Sequence, residues 1–202
     1  MAIRPMNTNG ASIERIHTWI ARGQQGDEAA CAALFHAFSL AILRLALGLL
    51  GDVQDAEEVL QDTFVYAFQH LVDYRAEKSA FATWLYTIAV SRCRNKRRRR
   101  WFTLIPLDQL ASQPGAPQRD VERRLERRGV RREVWAALLA LPDSLREAVV
   151  LRYLAGLRYA EVGQALDCHP KTAESRVRAG LARLRQALRA RDVEAEVLEL
   201  LA

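Results

Sequence analysis

Cysteine is scarce: Cys31, Cys93 and Cys168 are the three in a chain of 202 residues. They lie too far apart for a CxxC zinc cradle and are too few for a disulfide framework, so a reduced, intracellular protein is expected. Proline is missing between Pro5 and Pro106. A proline inside a helix removes a hydrogen bond and clashes with the preceding turn, so its absence leaves that whole stretch free to be helical. Long apolar runs are missing too. The most apolar segment, Leu40 to Leu50, is too short to cross a bilayer and carries Arg44 near its middle, so no membrane insertion is expected. Met1 to Gly10 holds no apolar core ahead of a small-residue cleavage site, and no targeting signal is read there. Sustained apolar/polar alternation between tight-turn dipeptides is also absent, so no strand is predicted. The predicted fold class is all-α.

What is present is a globular mixture: 50% hydrophobic and 27% charged, with 7% aromatic. Lys and Arg number 30 against 24 Asp and Glu, a net charge of +6. A basic balance suits a polyanionic partner, nucleic acid or an anionic membrane, only where the charge is concentrated. It is concentrated in Arg92–Arg100, in the arginines from Arg119 to Arg132, and along Lys171–Arg191, while acids gather near residues 55–62 and in the last eleven residues.

Apolar periodicity predicts helices at about 12–22, 27–50, 53–71 and 79–99, then at 121–140, 143–155, 159–166, 170–189 and 192–201. Ser12, Asp27 and Ser79 are read as caps, and Pro170 suits a first helical position. The expected inner stripes include Leu34, Phe35, Phe38, Ile42, Leu45 and Leu49 on the second helix, and Val53, Leu60, Phe64 and Phe68 on the third. Periodicity vanishes from Phe102 to about Asp120, where Ser112-Gln-Pro-Gly-Ala-Pro-Gln118 reads as a linker. The predicted organisation is an N-terminal segment and first helix (1–25), a helical domain (26–100), a linker (101–120), a second helical domain (121–190) and an amphipathic tail (191–202).

Three segments carry candidate chemistry. The run Arg92-Cys-Arg-Asn-Lys-Arg-Arg-Arg-Arg100 places like charges at helical neighbour spacing, which costs about 0.2–0.5 kcal/mol per pair. It is either a solvated helix C-terminus or a phosphate track. Phe81, Trp84 and Tyr86 precede it, and aromatics beside cations suit single-stranded bases. Tyr159 to Arg178 has helix-turn-helix spacing, with Val162, Ala165, Leu166, Val177, Leu181 and Leu184 inward and Lys171, Thr172, Ser175, Arg176 and Arg178 outward. An ordinary helical hairpin is the alternative. Gly180 is an odd choice within a helix, costing about 1 kcal/mol against Ala. In Asp55-Ala-Glu-Glu-Val-Leu-Gln-Asp-Thr-Phe64, Glu58 and Asp62 stand one turn apart, as do Glu57 and Gln61. A solvated face, a protein-docking face or a metal-dependent enzyme using Glu57, Glu58 and Asp62 are the options. The enzyme lacks histidine partners and a glycine-rich phosphate loop, so no catalytic residue, metal or cofactor is expected. His36 and His70 read as surface or capping groups, and Cys31 and Cys93 as small core residues.

Taken in order, these segments resemble a bacterial RNA polymerase sigma factor of the extracytoplasmic-function (ECF) group. The resemblance rests on Gly26-Asp-Glu-Ala-Ala30, Gly51 to Phe64, Phe81-Ala-Thr-Trp-Leu-Tyr-Thr-Ile-Ala89, Leu141-Pro142 and the helix-turn-helix through Leu184-Arg185. It implies two helical domains and a cytoplasmic, non-enzymatic initiation factor. Its partners would be the β and β′ subunits of core RNA polymerase, promoter DNA and an anti-sigma factor or other regulator. Asp55, Glu58, Gln61, Asp62 and Phe64 would dock on the polymerase clamp. The melted −10 strand would be held by Tyr74, Arg75, Lys78, Ser79, Phe81, Thr83, Trp84, Tyr86, Ser91, Arg94, Asn95 and Arg98, with a flipped base in a loop pocket. The −35 duplex would be read by His169, Lys171, Thr172, Glu174, Ser175, Arg176 and Arg178. The chain departs from the family at Ser91, where Asn is usual, at Glu174, where a basic residue is common, and at Ala179-Gly180, where Ala-Arg is usual. An atypical −35 sequence is expected from the last two. The rival function is a stand-alone helix-turn-helix regulator with a helical sensor domain.

Overall fold

Asp27 sets the start of the central helix, because its carboxylate accepts a hydrogen bond from the Ala30 amide at 3.1 Å. The same carboxylate pairs with Arg22 at 2.5 Å, closing the corner from the preceding helix. In the computed structural model, residues 13–103 and 133–189 are described. Helix α1 is Ile13–Gly23, α2 is Glu28–Leu50 and α3 is Val53–Gln69. A 3₁₀ turn, Leu71–Asp73, leads to α4, Phe81–Thr103. Residues 133–139 are helical and are called α5; they are followed by α6, Asp143–Tyr153, α7, Tyr159–Leu166, and α8, Pro170–Arg189.

Local chemistry accounts for most boundaries. Gly51 takes the left-handed conformation (φ 73°) that closes α2, and Asp52 caps α3 by accepting from the Asp55 amide at 2.9 Å. The third helix is shorter than expected. It stops at Gln69, where His70 caps it and its Nδ1 lies 2.9 Å from the Tyr66 carbonyl. Ser79 does not cap the fourth helix: its carbonyl accepts from the Tyr74 hydroxyl at 2.9 Å, and Ala80 takes the first helical bond from the Trp84 amide. With no proline between Pro5 and Pro106, α4 runs through Thr103, past the expected end at 99. Ser12, the linker from residue 104, the expected helical residues 121–132 and the tail helix at 192–201 lie outside the described residues.

Helix α2 is the hub, packed on α1, α3, α4 and α6. By length and composition it could cross a membrane. Here Leu34, Ile42, Leu45 and Leu49 are all but inaccessible inside the bundle. Each contributes about 1.5–3 kcal/mol relative to an exposed position. On α3 the buried face is Ala56, Val59, Thr63, Phe64 and Ala67. Val53, expected inside, is 59% exposed, and Leu60 and Phe68 are half-buried. Helices α6, α7 and α8 pack on one another, and α6 offers a buried run, Ala148 to Leu151. The two halves also meet: α6 lies on α2 and α7 on α4, so one apolar core runs from Ile16 to Val177. The two helical domains predicted from the sequence therefore share this core.

Candidate functional site

The helix-turn-helix is built by close approach. A Cβ on Gly163 would stand 2.6 Å from the Cys168 carbonyl oxygen, so only glycine lets the turn fold back over α7. The Cys168 amide bonds to the Gly163 carbonyl at 2.8 Å, and Asp167 adopts a left-handed φ of 53°, which aspartate tolerates. His169 then caps α8. Its carbonyl accepts from the Thr172 amide at 2.8 Å and its Nδ1 from the Lys171 amide at 3.2 Å. On α8, Ala173, Val177, Gly180 and Leu188 are buried, while Lys171, Thr172, Ser175 and Arg178 are exposed and Arg176 is half-exposed. Glu174 pairs with Arg178 at 2.6 Å, so its carboxylate orients a cation on the open face. Gly180 is not on that face: a Cβ there would meet Val149 Cγ2 at 2.6 Å. Close packing of α8 on α6 explains the glycine.

The fourth helix divides differently from its sequence pattern. Phe81, Thr83 and Tyr86 are buried, and so is Tyr74 in the preceding loop. Burial pushes the Tyr86 hydroxyl up to about 12. Phe81 joins Phe38, Tyr74 and Trp84 in one aromatic cluster, with ring centroids 5.2–5.6 Å apart. These side chains support the surface from beneath, so the expectation that they present stacking faces is corrected for all but the half-buried Trp84. Facing outward are Thr87, Ser91, Arg94 and Arg98, with Asn95 partly so. Thr87 lies on the same face as Ser91, and its hydroxyl donates to the Thr83 carbonyl at 2.9 Å.

Ahead of α4, the loop carries exposed Arg75 and Lys78 and half-buried Ser79. Gln24, just past the end of α1, pins it by donating to the carbonyls of Leu71 at 3.1 Å and Tyr74 at 3.2 Å. Between α1 and the loop lies a cleft of about 270 Å³, lined by His17, Ile20, Gln24, Tyr74, Arg75 and Glu77 among others. No local signal in α1 or the turn after it could have placed His17 and Gln24 there.

The basic run is engaged by acids. Lys96 lies 3.2 Å from Asp55 and also pairs with Glu58, and the Glu58 hydrogen bond, ahead of Asp55, raises the Lys96 ammonium above its ordinary value. Arg92 lies over the Tyr66 ring at 4.7 Å. Arg94 makes a two-pronged contact with Glu147, through Nε at 3.1 Å and Nη2 at 2.7 Å, which raises its own proton affinity further. Arg97 reaches Glu147 at 2.5 Å and Asp143 at 3.2 Å.

On α3, Glu57, Glu58, Gln61 and Asp62 face out and Asp55 is half-buried. Phe64 is 3% exposed and packs edge-on against Phe35 at 4.8 Å, so it stiffens the helix from within and is corrected as a surface contact. Among the described residues, no group of three His, Cys, Asp or Glu is placed to hold a metal. Cys93 is buried and its thiol is pushed up to about 12 by that burial.

A helix-turn-helix joined to a bundle that carries one acidic helix and one basic helix fits a DNA-binding protein. Comparison with known proteins resolves the class. The family model for Sigma-70 region 2 matches residues 34–103, and that for Sigma-70 region 4 matches residues 131–184. The RNA polymerase sigma-H factor of Pseudomonas aeruginosa is 30% identical over 166 residues, covering 78% of this chain and 86% of its own. The ECF RNA polymerase sigma-E factor of Haemophilus influenzae is 30% identical over 178 residues, covering 84% and 89%. Among solved structures, CnrH in complex with the cytosolic domain of CnrY aligns with a TM-score of 0.65 at 25% identity, over 87% of this chain and 98% of that one. The chain belongs to the ECF RNA polymerase sigma factors. It binds core RNA polymerase and promoter DNA and directs promoter-specific transcription initiation.

Proposed function

We propose that the work is divided among three surfaces. The outward face of α4, with Trp84, Ser91, Arg94, Asn95 and Arg98, and the loop residues Arg75, Lys78 and Ser79 hold the melted −10 strand. The cleft beneath that loop takes one unstacked base, which His17, Gln24, Arg75 and Glu77 can meet with polar edges. The exposed face of α8, from Lys171 to Arg178, reads the −35 duplex in the major groove, with His169 setting the helix start. Asp55, Glu58, Gln61 and Asp62 of α3 dock on a basic surface of the polymerase β′ clamp. The helix-turn-helix geometry carries this reading most directly, because Gly163 and Asp167 turn α8 so that one polar stripe faces solvent.

The proposed domains follow the sequence boundaries, with α4 extending the first through Thr103. The chain contributes no catalytic group, and phosphodiester chemistry belongs to the polymerase in the cytoplasm. RpoE of Bartonella quintana was solved with the anti-sigma factor NepR, and a regulator of that kind is proposed here too. A stand-alone regulator is not favoured, since both sigma regions match. Selection of binding sites from random promoter DNA by the reconstituted holoenzyme tests the division. Sites with two spaced elements are expected, and recovery of a single palindrome contradicts it.

A further inference from the structure

Helix α8 carries six cations and one acid. A duplex presents phosphates, and a carboxylate brought near them costs affinity whatever the sequence. Glu174 is therefore the charged residue of this helix that phosphate binding does not explain. It stands in the second turn, four residues before Arg178 and on the same side, while Ala173, Val177 and Gly180 are buried on the inward side. The two side chains meet at 2.6 Å, with that of Arg178 76% exposed and that of Glu174 34% exposed. Thr172, Ser175 and Ala179 beside them are exposed and short, which lets the helix come close to base edges in a major groove.

We propose that Glu174 is a specificity-determining residue of α8, reading a cytosine and holding Arg178 on the guanine of a neighbouring base pair. A guanidinium has five N–H donors, so Arg178 can keep the acid on Nη2 and still give two parallel bonds to O6 and N7 of guanine. A carboxylate has acceptors only. The second oxygen of Glu174 accepts from the N4 amino group of cytosine and repels O6 of guanine and O4 of thymine, which sorts the base pairs. Four residues rise about 6 Å along a helix, against about 3.4 Å per base step, so the two side chains meet different base pairs. Their opposite charges also cancel in part, which limits the repulsion between the carboxylate and the backbone. The inference rests on the proposed role of α8 at the −35 duplex.

Holoenzyme reconstituted with the full-length wild type, Glu174→Gln, Glu174→Ala or Arg178→Ala selects sites from random promoter DNA, each chain first checked by circular dichroism. The wild type is expected to enrich a cytosine and a nearby guanine within the −35 element. Arg178→Ala loses the guanine preference about tenfold and keeps the cytosine. Glu174→Gln moves the cytosine position toward adenine, which an amide meets with both a donor and an acceptor. Glu174→Ala loses both preferences. The near-isosteric glutamine keeps the result readable if an alanine variant loses its fold. Folded variants with unchanged preferences overturn the inference. So does a Glu174→Ala chain that binds every duplex more tightly with its preferences intact, since that is plain charge repulsion. A wild type that selects no −35 element removes the role of α8 and the inference with it. A selected element in which no cytosine or guanine responds to these variants overturns the inference alone.

Discussion

Lys96 of α4 lies 3.2 Å from Asp55 of α3, so one residue of the basic run neutralises part of the acidic helix beside it. Glu58 shares that ammonium, whereas Asp62 is exposed and has no ion-pair partner among the described residues. The charge left for a basic partner is therefore weighted toward Asp62. Asp62→Lys is expected to weaken binding to core polymerase about tenfold, and Glu58→Lys by less, because Lys96 already neutralises part of the Glu58 charge. Anisotropy titration of the labelled variants with core polymerase measures this; equal losses would remove the weighting.

Gly180 marks a contact between α8 and α6. Gly180→Arg restores the residue common in the family but drives a side chain into Val149 and the Leu145 carbonyl. Overpacking of this kind costs roughly 1–3 kcal/mol. Urea unfolding is expected to show that loss, with no gain in affinity for −35 duplex. A tighter-binding, equally stable variant would place the position on the DNA side after all.

Asp27 gives a pH signature. The Ala30 amide, and after it Arg22, holds its carboxyl below the ordinary value of 3.8. A depressed carboxyl contributes stability that is fully present above the unfolded value and is lost as pH falls through the folded one. Asp27→Ala should therefore melt lower than the wild type near neutrality, and the gap should close as pH drops below 3.8. A gap that persists unchanged in acid would assign the stabilisation to something other than the charged cap.

Much of the fold was legible because its signals are local. Asp27 and Pro170 mark helix starts through chemistry within one turn, and the all-α class follows from periodicity. The aromatics of α4 were misjudged because that helix is covered on several sides, by α2, α3 and α7. Its buried set, Phe81, Thr83, Leu85, Tyr86, Ile88, Ala89, Val90 and Cys93, spreads beyond the stripe that Leu85, Ile88 and Ala89 mark, so one helical period does not show that Phe81 and Tyr86 are inside. Glu147 was illegible for another reason. An acid in the first turns of a helix reads as a solvated charge, and its partner Arg94 lies 53 residues away in sequence.

The central claim is tested most directly by run-off transcription with purified core polymerase, comparing the wild type with the Glu58→Lys, Asp62→Lys double variant. The wild type is expected to direct initiation from a promoter recovered by selection, and the double variant to fail at limiting concentration. A wild type that supports no promoter-specific transcript would contradict the assignment as a sigma factor. A double variant that works equally well would remove α3 as the polymerase-docking face.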